Sequence, residues 1–248
     1  VAIHFAERGW FVGIVDINEE NMEDTLGMIE GGFKYSHKLD VRDRDAWDVA
    51  LKAFATAAGG RIDVVFNNAG IAHGWPYIDQ PKEEIEALID INVKGVLFGA
   101  QAAHEHLVKT APTSILINTA SIAGIIGAPG LAAYSATKWA VRGLTESLDA
   151  EWAADGVRVA SLCPGFIDTP MIAQVQGDSN RTAKEALQES GMEVSPVNDV
   201  ADVVWSIVHG DDLHYTVGKF AKKMRRLHRW MPGTIRKQMR QRGLGVEL

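Results

Sequence analysis

This sequence predicts a doubly wound α/β fold, a parallel sheet covered by helices on both faces in three αβα layers. Three observations predict it. Strand-like and helix-like segments alternate along the chain. The strands are continuous apolar runs rather than in-and-out patterns, as expected of strands buried on both faces. Five strand ends also carry polar or backbone-exposing residues: Asp16, Asp40, residues 67–70, Ser121, and Pro164 with Gly165. In such sheets ligands lie beyond the carboxyl ends of the strands.

The elements follow in order. Residues 1–8 (VAIHFAER) read as the end of a helix stopped by Gly9, and 10–16 (WFVGIVD) as a buried strand closed by an acid. An acid-led helix over 18–30 precedes a strand at 33–41 (FKYSHKLDV) and a helix at 45–58. The short strand 62–66 (IDVVF) runs into NNAG at 67–70. One helix is expected around 82–107, then a strand at 114–118 (SILIN) that leads to Ser121. A helix carries Tyr134 and Lys138, and the strand 157–163 (VRVASLC) stops at Pro164-Gly165. Residues 170–195 have the length and mixed character of a mobile lid ahead of a helix at Pro196.

The chain has 248 residues, 46% of them hydrophobic, enough to bury one large core, and no linker is evident, so 1–248 read as one domain. The single cysteine, Cys163, excludes an intrachain disulfide and fits a reducing, cytoplasmic compartment. No apolar run approaches a membrane span, and no secretory leader is expected. Charge is uneven. Residues 219–248 carry ten Lys and Arg against one acid, while residues 1–218 carry 15 against 31. In this basic extension Phe220, Met224, Leu227 and Trp230 recur at helical spacing, which suits either peripheral contact with an anionic membrane or docking on the acidic body. Nucleic acid is not expected as a partner, because the acidic body would repel phosphate.

The stretch 121–138 (SIAGIIGAPGLAAYSATK) holds the most specific chemistry. Lys138 lies four residues after Tyr134, one helical turn along the same face, where its ammonium would lower the phenol pKa. Bringing a tyrosine from about 10 to about 7 takes roughly 4 kcal/mol of differential stabilisation of its anion. Ser121 would hydrogen-bond the oxygen that exchanges a proton with Tyr134. His104 and His106, two apart on a helix, face different directions and make a poor metal pair. Cys163 reads as inert packing and His73 as a solvated loop residue.

With NNAG at 67–70, Asn92 in INVKG, Ser121, YSATK at 134–138 and PGFIDT at 164–169, the chain resembles a classical short-chain dehydrogenase/reductase up to about residue 218. The resemblance implies a Rossmann-like fold and a nicotinamide cofactor. It implies Tyr134 as general acid/base, Lys138 as ribose ligand and pKa modulator, Ser121 as substrate-orienting residue, and Asn92 as holder of a water in a proton relay. Asp16 would hydrogen-bond the adenosine ribose and repel the extra phosphate of NADP. No Lys or Arg occurs in 17–33, so NAD is expected. Asp40 and Val41 would bracket adenine. Asn67, Ala69 and Gly70 would give close backbone approach, and Pro164, Gly165, Ile167 and Thr169 would hold the nicotinamide end.

Apolar residues at Ile122, Ala123, Ile125, Ile126, Phe166 and Met171, with Trp75 and Tyr77, point to a fairly hydrophobic secondary alcohol or ketone as substrate. The family also implies a homodimer or homotetramer built through the helices around 92–108 and 134–152. It implies a first strand and a TGxxxGxG turn ahead of the opening helix. These are absent from the 248 residues, so about 15 to 20 residues are expected to precede them, the size of one strand and turn. The alternatives are an NADP(H)-dependent ketoreductase, or a non-catalytic scaffold on the same fold acting through the basic tail.

Overall fold

The computed structural model describes residues 1–32, 34–173 and 182–242. The chain opens in α1 (Ala2–Ala6), followed by β1 (Val12–Asp16), α2 (Glu19–Gly27) and β2 (Lys34–Lys38). Next come α3 (Arg44–Ala57) and β3 (Val64–Asn67). α2 and α3 begin on side-chain caps. Asn18 accepts from the Asn21 amide, and Asp43 accepts from those of Asp45 and Ala46, satisfying amides that the first helical turn cannot pair.

The expected single helix over 82–107 is interrupted. α4 (Lys82–Ile89) passes into a π turn (Asp90–Lys94) and then into α5 (Gly95–Val108). β4 (Ile115–Thr119) leads to the long α6 (Ala132–Trp152), and β5 (Arg158–Pro164) to the short β6 (Phe166–Ile167). α7 (Ala183–Glu189), β7 (Val194–Ser195), α8 (Val197–His209) and β8 (His214–Val217) follow. The stretch read as a lid contains a 3-10 turn (Pro170–Ala173), α7 and β7, which pairs with β6; its residues 174–181 lie outside the described residues.

Among the described residues all strand pairs are parallel. β1 pairs with β2, and the main sheet has the order β3-β4-β5-β8. Side chains alternate across this sheet and so define three layers. Leu116 and Val159 pack with Trp47, Leu51, Ala103 and Leu107 from α3 and α5. Ile115, Ile117, Ala160 and Leu162 pack on the other face with Phe5 of α1 and with Val204 and Ile207 of α8. β4 and β5 are almost wholly buried, whereas Val15 in β1 is 37% exposed.

The tail folds back as a helical hairpin, α9 (Lys219–Trp230) and α10 (Pro232–Arg242). Ala221, Met224 and Ile235 are buried against Val96, Ile126 and Val141, and Phe220 stacks on Phe166 with ring centroids 5.9 Å apart. Trp230 does not share that inner face; it ends α9 and is 75% exposed. Among the described residues no helix is long and apolar enough to cross a membrane.

Candidate active site

The carboxyl ends of β1, β3, β4 and β5 open on one cleft of about 830 Å³ that runs from Asp16 to Thr169. That size suits a ligand larger than a metabolite fragment. Its floor is the first two turns of α6. This 21-residue helix buries Ser135, Thr137, Lys138 and Thr145 along with Val141, an unusually polar inner face for a helix on a sheet.

Tyr134 and Lys138 lie one turn apart on that face, with Lys138 Nζ 5.6 Å from the centre of the tyrosine ring. The ammonium is aimed elsewhere: Nζ donates to the Thr119 carbonyl at 2.9 Å. Burial lowers Lys138 from 10.5 to about 8. Burial also pushes the Tyr134 phenol above its ordinary value, and its hydrogen-bonding interaction with Ser121 offsets part of that rise. The sequence reading, in which Lys138 depresses Tyr134, is therefore not what the chain's own residues produce. Desolvation of the phenolate is the dominant influence on Tyr134.

Ser121 has extended backbone (φ −173, ψ 168) and caps a 3-10 turn, its hydroxyl accepting from the Ala123 amide at 3.1 Å. That turn is anchored by Arg142, whose Nη1 donates to the Gly124 carbonyl at 2.9 Å. Gly124 is there because the turn lies on the helix backbone: an added Cβ would sit 2.6 Å from the Lys138 carbonyl oxygen.

Asn92, in the π turn, is fully buried. Its Oδ1 accepts from the Ile71 amide at 2.9 Å, and its Nδ2 donates to the Ile71 carbonyl at 2.8 Å and to Thr137 Oγ1 at 3.3 Å. Both donor hydrogens are therefore engaged, and the side chain clamps the segment after NNAG to α6. A Cβ at Gly70 would come within 3.2 Å of Asn92 Oδ1 and 3.4 Å of Lys138 Nζ.

At the far end of the cleft, Asp16 Oδ1 accepts from the Asn18 amide at 2.9 Å, and among the described residues Asp16 has no ion-pair partner. Two cations stand close in sequence or register, and both are occupied. Lys38, opposite Asp16 in the β1–β2 register, pairs with Glu19 at 2.7 Å. Arg42 grips Asp40 through Nε and Nη2, at 2.9 to Oδ1 and 2.6 Å to Oδ2, holding that carboxyl below its usual range.

Of the residues singled out from sequence, Asp16, Asp40, Val41, Ala69, Gly70, Ser121, Tyr134, Lys138, Pro164, Gly165, Ile167 and Thr169 line the cleft. Asn67 does not. Its side chain points beneath the sheet, donating to Asn118 Oδ1 at 2.9 Å, and its neighbour Asn68 takes the place in the wall. Ile122, Ala123, Ile126, Phe166 and Met171 also line the cleft, whereas Ile125 is buried in the core and Trp75 and Tyr77 stand away from it. Arg42 and Thr119 are wall residues the sequence did not flag. Cys163 is buried, and burial pushes its thiol up. His104 meets Asp155 at 2.9 Å, and His73 lies 3.6 Å from Glu84.

A parallel αβα sheet with a cleft at the carboxyl ends of its strands defines a Rossmann-type fold. The family model described as short chain dehydrogenase matches residues 1–180. A cyclopentanol dehydrogenase of Comamonas sp. (strain NCIMB 9872) is 34% identical over 218 residues, 84% of this chain and 86% of that one. Two solved structures superpose closely. NAD+-bound xylitol dehydrogenase is 26% identical with a TM-score of 0.76, covering 87% of this chain and 90% of its own. A gluconate 5-dehydrogenase from Burkholderia cenocepacia J2315, in complex with NADP and tartrate, is 25% identical with a TM-score of 0.75, covering 90% and 89%. The chain belongs to the short-chain dehydrogenase family and is an oxidoreductase.

Proposed function

We propose that the protein interconverts a fairly hydrophobic secondary alcohol and its ketone with NAD(H) as cofactor. The observation that carries this reading is the meeting of Tyr134, Ser121 and Lys138 on the floor of a cleft walled by Ile122, Ile126, Phe166 and Met171. A proton-exchanging trio beside an apolar wall suits a neutral carbonyl substrate rather than a charged one.

The residues present fit a dinucleotide. The buried Lys138 ammonium has one described acceptor, Thr119 O, which leaves donor hydrogens for ribose hydroxyls. Gly70 keeps the adjoining wall bare. Asp16 retains free acceptor capacity at the adenosine end and, with Lys38 and Arg42 already neutralised, leaves that end net negative. This favours NAD(H) over NADP(H). Val41 and Asp40 would flank the adenine, Ala69 and Gly70 the ribose, and Pro164, Gly165, Ile167 and Thr169 the carboxamide.

When bound, the cofactor supplies or accepts the hydride at the substrate carbon. The chain supplies the proton. Tyr134, held neutral by burial, is ready to donate its phenolic hydrogen to the carbonyl oxygen in ketone reduction, and as phenolate it accepts the alcohol proton in the reverse direction. Ser121 donates to the same oxygen and fixes its position. Lys138 brings positive charge under the phenolate that forms, and Asn92 keeps the Ile71 segment fixed beside it.

A single catalytic domain in a cytoplasmic homodimer or homotetramer completes the reading. Tyr134→Phe tests it, in a screen of hydrophobic ketones with NADH and of the matching alcohols with NAD. The phenylalanine keeps the ring and removes the proton donor, so kcat should fall by roughly 10²–10⁴ while nucleotide binding, followed by fluorescence, is retained. Full NADH-linked turnover in this variant would overturn the assignment.

A further inference from the structure

The α9–α10 hairpin is charged in a way its own chain does not answer. Ala221, Met224 and Ile235 hold it on the body, so its inner apolar face is used up. The outer face shows Lys222, Lys223, Arg226, Arg229, Arg236 and Lys237, all exposed. Residues 219–242 contain no Asp or Glu. The ion pairs among the described residues all lie elsewhere. Although residues 1–218 bear 31 acids against 15 Lys and Arg, none of those acids pairs with these cations among the described residues.

The tip of the hairpin adds a second, independent observation. Trp230 is 75% and Met231 50% exposed where α9 turns into α10, and the Arg229 guanidinium lies 5.4 Å from the centre of the Trp230 ring. An exposed tryptophan and methionine at the tip of a hairpin whose cations have no ion-pair partner among the described residues is the arrangement that an anionic lipid surface accepts. The cations meet headgroups, and the indole settles at the headgroup level.

We propose that the α9–α10 hairpin is a docking surface for an anionic lipid bilayer, with Trp230 and Met231 entering the interface. It sits next to the active site: Ile126 lines both the groove beneath α10 and the cleft. The proposal does not depend on the identity of the substrate or on turnover.

Co-sedimentation tests it, using vesicles of phosphatidylcholine alone and of phosphatidylcholine with phosphatidylglycerol in equal parts. The full chain should pellet with the mixed vesicles and not with pure phosphatidylcholine, and added salt should release it. Neutralising three exposed cations (Arg226→Gln, Arg229→Gln, Arg236→Gln) should lower the partition coefficient roughly a hundredfold, at about fivefold per charge. Trp230→Ala, which keeps every charge, should lower it about tenfold. Matching circular dichroism and melting confirm that both variants fold. Equal pelleting with both vesicle types, or an unchanged partition in the triple variant, would overturn the proposal. So would a triple variant that changes only the sedimentation coefficient of the lipid-free protein, because the cations would then serve a subunit contact.

Discussion

Lys138 is held in a site that penalises its charge, and replacing it separates what the residue does for the fold from what it does for the reaction. A fall from the ordinary 10.5 to about 8 corresponds to roughly 3 kcal/mol of native-state penalty on the ammonium, at about 1.36 kcal/mol for each factor of ten. Lys138→Met keeps the length and helix propensity of the side chain and removes the charge. It also removes the bond to the Thr119 carbonyl, at a cost of about 1 kcal/mol. The variant should therefore be more stable than the parent by about 2 kcal/mol at pH 7, a rise in Tm of roughly 4–8 °C for a chain of this size, while activity is lost.

The pH dependence of that gain has a definite sign. Below pH 8 the native lysine is charged and the full penalty applies. Between about 8 and 10.5 the native state has released its proton and the unfolded chain still holds it, so the parent gains stability as pH rises. Urea unfolding followed by tryptophan fluorescence at pH 7 and pH 10 measures this directly. A variant less stable than the parent at pH 7, or one with the same advantage at both pH values, would refute the reasoning.

Two more outcomes follow from the geometry. Asp16→Ser removes a charge that has no ion-pair partner among the described residues, so the dissociation constant for NADP(H) relative to NAD(H) should fall about tenfold or more; a fluorescence titration showing an unchanged ratio would reject the role given to Asp16. Gly124→Ala drives a Cβ to 2.6 Å from the Lys138 carbonyl oxygen. It should destabilise the protein by about 1–3 kcal/mol and lower kcat, so parental melting and turnover in that variant would show that the turn does not rest on α6 as described.

Much of this was legible in the sequence because it depends on periodicity and on where strands stop. The parallel αβα architecture follows from apolar runs that alternate with helices, and the cleft from residues placed just beyond those runs. The errors arise where a side chain answers to something distant in sequence. The π turn leaves no propensity signal within 82–107, because Asn92 is fixed by the Ile71 backbone and by Thr137. Asn67 and Asn68 could have been told apart by strand parity. Val65 and Asn67 share the buried face of β3, so the next residue turns outward to the cleft. The four-residue spacing places Tyr134 and Lys138 one turn apart, but spacing does not reveal that Nζ turns to Thr119 or that burial raises the phenol. Arg42 is the exception, held at the cleft wall by a carboxylate only two residues away.

The π turn bearing Asn92 also fixes the rotational phase of everything after it. Leu88, Asn92 and Val96 are all buried, although in an unbroken α-helix residues four apart drift by about 40° at each step. The wider turn absorbs that drift. Val96, Gly99, Ala100, Ala103 and Leu107 consequently enter α5 already facing inward, with Gly99 bare enough for the Trp47 ring to approach. The residue that clamps the cleft thus also sets the angle at which a whole helix meets its layer. Deleting one residue from 90–94 would rotate the small-residue face of α5 by about 100° towards solvent, dismantling the αβα layering and the catalytic floor together.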